Sequence, residues 1–390
     1  MSFLLDLQPR SAEMRSTGFP ADAGFGYVRT AHSGFTAARA RSLPDRHYRS
    51  CPPLCVNTAG GRAGSRDCGS RLPLTLMCAA AFSLFSKLRG DVDDDDEDLS
   101  EAEKKIVYML KKAKLSIMKE EMDEAEEILH ETLHLAQECK SKRAIVYTYD
   151  LMANLALLRG QYDSAERLFK TTMVYMLDSG TKQDDNSFLE VSLKLASVYA
   201  AQNQKDLAVA GYQFCILSLD ERTEKEKDAP QEIMTAEEKS NTRLLLGLCL
   251  DSYARYLVSQ SQLLHAQVMY EKALQICVEE QGDLHPQAIT LLNDLATVME
   301  AQGRYDEAHT YVSQALHRAI KSDHPDYHIL LSNMATIFMH QGGTENLLAA
   351  ERIFKEALIK AEDKKDTPSV QYIHKGLSEL AKRREESQNI

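Results

Sequence analysis

The stretch LLNDLATVMEAQGRYDEAHTYVSQAL, residues 291–316, decides the fold because it contains two helical patterns separated by a glycine. Apolar residues recur at the three- and four-residue spacing of one helix face before Gly303, and the same spacing resumes after it. Ala296 and Ala308 lie twelve residues apart, one on each side of the turn. Because two helices approach closely only where side chains are small, this alanine pair predicts the crossing point of an antiparallel helical hairpin.

The alanine pair recurs five more times along the chain. The spacing is twelve residues in four of these copies and fifteen in the last, which contains two glycines. A bulky side chain follows each second alanine after four residues, and a small one follows three residues later. The further pairs are Ala113 and Ala125, Ala153 and Ala165, Ala196 and Ala208, Ala254 and Ala266, and Ala335 and Ala350. The pattern predicts six similar helical hairpins in tandem.

This pattern resembles the tetratricopeptide repeat, in which small residues stand at both crossing points of a helix pair. The second alanine recurs after 40 to 58 residues, longer than the usual period of about 34. The His-Pro dipeptides at residues 285–286 and 324–325 are similar to those of kinesin light chain repeats. The resemblance implies an all-α, superhelical solenoid of about six helix pairs. Residues 368–386 carry one apolar stripe among charges, which predicts a C-terminal capping helix.

The first ninety residues differ in composition from the rest of the chain. They contain twelve Arg and Lys and five Asp and Glu, which gives a net charge of +7. Since the whole chain has a net charge of −12, residues 91–390 have a net charge of −19. They also contain nine of the eighteen Gly and six of the ten Pro, which excludes a long helix or regular repeat. An Arg-rich, Ser-rich, acid-poor amino terminus is typical of a mitochondrial transit peptide. We predict that residues 1–71 are a basic, disordered mitochondrial leader that is cleaved; a retained basic tail is the alternative.

A short hydrophobic run follows the leader. Residues 72–86, LPLTLMCAAAFSLFS, are fifteen residues without charge between Arg71 and Lys87. A membrane span needs about 20 residues and at least roughly 17. The run is therefore either an inner-membrane anchor or sorting segment, which we favour, or a stretch removed with the leader. Residues 87–100 include the run DVDDDDED and are predicted to be an acidic, solvated linker before the repeats of residues 101–390.

One motif in the repeats raises the question of catalysis. His130, Glu131 and His134 fit the H-E-x-x-H pattern, which places two imidazoles on one helix face with a glutamate as base. Both histidines flank positions expected to be buried, so we expect them to point outward. A zinc site needs a third protein ligand, and the sequence nominates none. We predict a protein that is not an enzyme and has no metal or cofactor. We interpret the singly spaced cysteines of the repeats as small core residues: Cys139, Cys215, Cys249 and Cys277.

The concave groove of the solenoid is the predicted binding site. The first helix of each repeat lines such a groove, and residues three before and one after its alanine face it in proteins of this class. Amide and carboxylate groups there clamp the backbone of a bound segment, and an arginine pairs with a carboxylate. The predicted groove residues are Asp150, Asn154, Leu193, Ser197, Asp251, Arg255, Asn293, Thr297, Ser332 and Thr336, with Leu110 and Lys114 at the edge. We expect these polar side chains to be exposed.

Three stretches are similar to one family of mitochondrial tetratricopeptide repeat proteins. They are AIVYTYDLMANLALLRGQ, SLKLASVYAAQNQKDLAVAGYQFC and LLLGLCLDSYARYL, at residues 144–161, 192–215 and 244–257. The resemblance implies a non-catalytic scaffold of the mitochondrial inner membrane that assists assembly or maintenance of respiratory complex III. The implied partners are complex III subunits, including the Rieske iron-sulfur protein. A cytosolic cargo or cell-division adaptor of the kinesin light chain kind is the alternative, and it requires that residues 1–90 be retained. The acidic repeats make nucleic acid an unsuitable ligand.

Overall fold

The computed structural model describes residues 100–227 and 234–388. Thirteen α-helices follow one another in this part of the chain, and it contains no β-strand. They are α1 Glu101–Met118, α2 Met122–Glu138, α3 Lys142–Leu158, α4 Tyr162–Asp178, α5 Asn186–Ala201, α6 Lys205–Lys227, α7 Ala236–Ser259, α8 Leu263–Gln281, α9 Pro286–Ala301, α10 Tyr305–Ser322, α11 Tyr327–Gln341, α12 Thr344–Asp363 and α13 Thr367–Gln388. The predicted leader and hydrophobic run lie outside the described residues, and so does the predicted linker up to residue 99.

The helices form six antiparallel pairs and one final helix. Each helix packs mainly against the helix before it and the helix after it. We call the odd-numbered helices α1 to α11 the first helices and the even-numbered helices α2 to α12 the second helices. On α13, Ile373 and Leu380 are buried, so α13 covers the last pair. The predicted all-α tetratricopeptide-repeat solenoid of about six helix pairs with a capping helix is confirmed.

The alanine pairs mark the helix crossings as predicted. All twelve alanines are 0% exposed, and the bulky residues four positions after each second alanine are buried as well. These bulky residues are Leu129, Phe169, Tyr212, Tyr270, Val312 and Phe354. Packed helix axes lie about 8–10 Å apart, and the closest approach requires a side chain no larger than a methyl group. The spacing of the alanines in the sequence therefore marks where the two helices of each pair pack most closely.

A left-handed residue turns the chain between the helices of most pairs. Gly303 in the deciding stretch has φ 75°, and Gly160 has φ 70° at the equivalent place. Asn203 takes the same conformation with φ 58°, which L-residues other than glycine adopt at some cost. The next backbone N–H then donates to a carbonyl five residues back, as from Arg304 to Met299. This hydrogen bond is the Schellman arrangement, which satisfies a helix end and fixes the hairpin geometry.

The longest interval between alanine pairs is filled by extended helices. α6 continues to Lys227 and α7 begins at Ala236, so most of this interval is helical. Residues 228–233, between the two helices, lie outside the described residues. Thr235 and Glu238 form a capping box at the start of α7, and Ser100 and Glu103 form another at the start of α1.

Gly376→Ala should weaken the attachment of α13 by about 1–3 kcal/mol, because an added methyl group would overpack the contact with α12. A Cβ at Gly376 would lie 2.7 Å from Cζ of Phe354, whose side chain is fully buried. Gly247→Ala in α7 is the matched control, since its Cβ would meet Cγ2 of Ile276 at 3.4 Å. Alanine there gains roughly 0.5–1 kcal/mol of helix preference. Urea unfolding followed by circular dichroism measures both, and equal stabilities would contradict the described packing.

Candidate functional site

The predicted groove residues are less exposed than expected. Six of the ten are buried: Asp150, Asn154, Leu193, Asp251, Ser332 and Thr336. Ser197, Arg255 and Asn293 are half-buried, and Thr297 alone of the ten is exposed. The expectation of exposed polar side chains is therefore wrong for the five polar residues among these six. The physical reason is that neighbouring first helices lie close enough for these positions to face each other. Binding of a partner by this row stays a prediction.

Buried and half-buried side chains join each first helix to the next, and join the last first helix, α11, to α13. We call this set of contacts the first-helix ladder. Its contacts join Lys114 to Tyr147, Asp150 to Lys194, Asn186 to Thr242, Arg255 to Asp294, Asn293 to Asn333, and Thr336 to Tyr372. They connect α1, α3, α5, α7, α9, α11 and α13 in order without a gap. The ladder therefore holds the inner layer of the solenoid together through hydrogen bonds and charges.

The most buried rung of the ladder is centred on Lys194. Its Nζ lies 3.3 Å from Oδ1 of Asp150 and 3.1 Å from Oε1 of Glu190, and all three side chains are buried. Asn154 donates from Nδ2 to Oδ2 of Asp150 at 3.0 Å. Burial alone would lower the pKa of Lys194, but Asp150 and Glu190 outweigh it, so this pKa is raised. Lys194 is therefore held as a cation that compensates two buried carboxyl groups.

Burial moves the pKa values of Glu190 in this rung and of Lys114 in the preceding rung toward neutral pH. Burial raises the pKa of Glu190 to about 7, against the attraction of Lys194. Burial lowers the pKa of Lys114 to about 8, against the attraction of Asp150. Taking a charge out of water costs several kcal/mol, so each group is displaced toward its neutral form. The charge of the rung therefore depends on pH within the range around neutrality.

A second charged rung is centred on Arg255. Its Nε lies 3.0 Å from Oδ1 of Asp251, and its Nη2 lies 2.8 Å from Oδ2 of Asp294 on the next first helix. Burial opposes the charge of Arg255, but Asp294 and Asp251 outweigh it and raise its pKa. Burial raises the pKa of Asp294 to about 6, against the attraction of Arg255. Arg255, predicted to pair with a carboxylate of a partner, thus already pairs with two carboxylates of its own chain.

An apolar row lies beside the ladder and was missed in the sequence analysis. Residues four and five positions after each first alanine lie on the same side of the helix as the predicted groove residues. In the first four repeats seven of these eight positions are apolar, the exception being Ser259, and the large apolar side chains among them are partly or fully exposed. The aliphatic row comprises Ile117, Met118, Leu157, Leu158, Ala200, Ala201 and Val258. The row could have been found from the sequence as apolar residues of the first helices that lie outside the buried stripe of each helix.

The candidate catalytic motif lies on the surface of α2. His130 and His134 are exposed, and Nδ1 of His134 lies 3.5 Å from Oε1 of Glu138. Within the described residues no group of three or more His, Cys, Asp or Glu side chains could hold a metal ion. The cysteine interpretation is confirmed for Cys215, Cys249 and Cys277, which are buried. It is wrong for Cys139, which is exposed at the end of α2.

Comparison with known proteins identifies the family. Residues 243–321 match the family described as Tetratricopeptide repeat. Over 369 residues the chain is 47% identical to human (Homo sapiens) tetratricopeptide repeat protein 19, mitochondrial, which covers 92% of this chain and 95% of that protein. The chain belongs to the tetratricopeptide repeat protein 19 family. The tetratricopeptide repeat protein 19 homolog, mitochondrial, of Drosophila melanogaster is 28% identical over 303 residues, with 76% of this chain and 78% of that protein covered.

A solved structure of another protein shares the fold of this tetratricopeptide repeat protein 19 family member. The apo form of RapI superposes with a TM-score of 0.55 over 81% of this chain and 88% of that chain, at 14% identity. At this identity the likeness shows the solenoid fold alone. The family relatives are named mitochondrial, which supports a mitochondrial tetratricopeptide repeat protein. Among residues 100–227 and 234–388, no helix is long and apolar enough to cross a membrane.

Glu190→Gln should stabilise this family member more at pH 8 than at pH 5, relative to the unchanged chain. Burial raises the folded-state pKa of Glu190 from 4.5 to about 7, so between these values the folded chain binds more protons than the unfolded chain. The contribution of Glu190 protonation to the free energy of unfolding is fully present below pH 4.5 and is lost as the pH rises through about 7. Glutamine cannot ionise and removes this loss. Urea unfolding at both pH values measures the effect, with Glu131→Gln on the exposed face of α2 as control. A variant that follows the unchanged chain equally at both pH values would contradict the burial of a carboxylate in this rung.

Proposed function

We propose that this chain is a non-catalytic protein-binding scaffold of the mitochondrial inner membrane that assists assembly or maintenance of respiratory complex III around the Rieske iron-sulfur subunit. The observation that carries the proposal is the 47% identity to human tetratricopeptide repeat protein 19, mitochondrial, over nearly the whole chain. Complex III and the inner membrane come from the family resemblance of the repeat sequences. The repeat fold supports a binding role because stacked helix pairs present an extended surface.

The first hundred residues have the composition expected of a segment that delivers the protein to the membrane. We propose that residues 1–71 are a cleaved basic leader, that residues 72–86 are an anchor or sorting segment, and that residues 87–100 are an acidic linker. The excess of positive charge in the leader suits import, and the relatives named mitochondrial agree with it. The repeats of residues 101–390 then form the working part of the protein.

Import should remove much of residues 1–71. Cell fractionation followed by mass spectrometry of the mature amino terminus measures compartment and processing together. We expect a mitochondrial protein that begins near the hydrophobic run and resists carbonate extraction, because residues 72–86 hold it in the membrane. A cytosolic protein that retains Met1 would contradict the proposal and would fit the cytosolic adaptor instead. Complete carbonate release with residues 72–86 still attached would contradict the anchor alone.

The groove offers a partner two kinds of contact. Ser197, Arg255, Asn293 and Thr297 are partly or fully accessible, so we propose them as polar contacts. The aliphatic row lies beside them and favours a bound segment with apolar side chains, since removing apolar surface from water contributes roughly 25 cal/mol per Å². The six buried members of the predicted row are proposed to shape the groove by fixing the spacing of the first helices.

Met118→Lys combined with Ala201→Lys should reduce recovery of complex III by at least about tenfold, which corresponds to about 1.4 kcal/mol. Both side chains are exposed members of the aliphatic row, so charges there oppose an apolar partner without disturbing the core. Leu217→Lys combined with Leu264→Lys is the matched control, because both leucines are exposed on second helices. Co-purification of the Rieske protein with the tagged chain from mitochondria is measured beside thermal unfolding by circular dichroism. Unchanged recovery with unchanged unfolding would place the binding surface elsewhere.

A further inference from the structure

The outer face of α1 is exposed where every later first helix is covered. Tyr108 is 67% exposed and Leu115 is 50% exposed. The residues at the same distances from the first alanine in the other repeats are all buried: Thr148 and Leu155, Val191 and Val198, Cys249 and Tyr256, Leu291 and Val298, and Leu330 and Ile337. At the other end, none of the described exposed large hydrophobic residues lies on α13. The amino-terminal end of the described solenoid therefore presents an uncovered surface.

Lysines surround the two exposed hydrophobic residues. At 100° per residue, five exposed lysines fall on the face that contains Tyr108 and Leu115. They are Lys104, Lys105, Lys111, Lys112 and Lys119, and we call the seven residues together the α1 basic face. Glu101 is the carboxylate on this face, 3.8 Å from Lys104, while Lys112 lies 3.0 Å from Glu124 of α2. This positive face contrasts with the rest of the repeat region, because residues 91–390 together have a net charge of −19.

Two of these lysines stand at positions that carry buried or half-buried apolar and aromatic residues in the later repeats. The positions of Lys105 and Lys112 are apolar or aromatic in every later first helix: Ile145 and Met152, Phe188 and Leu195, Leu246 and Tyr253, Ala288 and Leu295, and Tyr327 and Met334. A further helix pair covering α1 would have to bury both ammonium groups, which costs several kcal/mol for each unpaired charge. The chain therefore departs from its own repeat pattern at this end in a way that disfavours an ordinary apolar cap.

We propose that the α1 basic face docks on an anionic membrane surface. Lysines keep their ammonium groups among anionic headgroups while their stems and the neighbouring apolar residues enter the interface. Tyrosine is enriched at that level of a bilayer, and each lysine near an anionic leaflet contributes attraction. An acidic protein surface would pair with the lysines but would leave Tyr108 and Leu115 without apolar contact. The combination of charge and hydrophobic residues thus fits a lipid surface best.

The position of α1 in the chain agrees with this placement. Fourteen residues, 87–100, separate it from the predicted anchor, and they span at most about 50 Å when extended. Docking through Tyr108 leaves the groove edge at Lys114 accessible, because the two residues lie about 120° apart around α1, whereas Met118 of the aliphatic row lies closer, about 80° from Tyr108. The acidic run DVDDDDED just before α1 is the competitor within the chain for the same lysines. The lipid contact does not depend on the partner proposed for the groove, so each can fail alone.

The chain contains no tryptophan, which allows a site-specific fluorescence test in the full-length protein. Tyr108→Trp places one reporter on the α1 basic face, and Leu264→Trp places one on an exposed position of α8. The vesicles are phosphatidylcholine and phosphatidylglycerol in equal parts, or phosphatidylcholine alone. We expect the emission of Tyr108→Trp to shift to shorter wavelength with the anionic vesicles only. The emission of Leu264→Trp should stay unchanged even where the leader itself binds the vesicle.

Charge variants of Tyr108→Trp complete the test. Adding Lys105→Glu and Lys111→Glu should abolish the shift, whereas Lys321→Glu with Lys375→Glu, an equal charge change at exposed lysines elsewhere, should leave it intact. Circular dichroism checks folding, and Lys105→Gln with Lys111→Gln replaces the first pair if it unfolds. The proposal is overturned by a Tyr108→Trp emission that ignores anionic vesicles, that responds equally to neutral ones, or that survives loss of the lysines. The proposal would also be overturned if, without vesicles, the protein were a dimer and the emission of Tyr108→Trp already lay at short wavelength. A second copy of the chain would then cover the α1 basic face.

Discussion

Close approach of paired helices at alanine is the constraint on which the rest of the structure depends. Twelve alanines at 0% exposure allow each first helix to cross its second helix at the distance that a methyl group permits. Leu, Phe, Tyr or Val then fills the space one turn later, and Thr, Cys or Ala admits the next pair. Repeating this packing brings the first helices side by side along one layer. A larger side chain at a crossing would separate a pair and would pull its first helix out of that layer.

The first-helix ladder is a consequence of that layer. Because the first helices are close, their facing positions are shielded from water, and charged residues persist there only when paired. Lys194 with Asp150 and Glu190, and Arg255 with Asp251 and Asp294, meet this requirement. Removing one partner of a buried ion pair costs about 3–5 kcal/mol, so a shift of one first helix that separated such a pair would be strongly destabilising. The ladder therefore fixes the register of neighbouring repeats, and with it the shape of the concave surface.

The sequence predicted the fold better than the site, and the reason is physical. Crossing alanines, turn residues and caps act within one hairpin, so their spacing appears directly in the sequence, as at Ala296 and Ala308. The exposure of Asp251 or Asn154 depends on how close the next first helix lies, some forty residues away in the chain. The distance between neighbouring first helices is set by the superhelix, and no short stretch of sequence predicts it. The aliphatic row could not be predicted for the same reason. Apolar residues of a helix are expected in the core, and only the position of the neighbouring helices shows that these are partly exposed.

The two unusual surfaces of the molecule differ in a way that separates their roles. The aliphatic row and the accessible polar residues lie along the groove of several repeats, so they suit an extended segment that contacts many helices at once. The α1 basic face belongs to one helix and mixes lysines with Tyr108 and Leu115. A surface of that size and composition gives weak, salt-dependent attraction to charge rather than shape-specific recognition. An anchor in the preceding segment would raise the effective concentration of this face at the membrane, so that weak contacts suffice to orient the solenoid. Such an orientation would leave the groove edge at Lys114, about 120° around α1 from Tyr108, accessible to the partner proposed above.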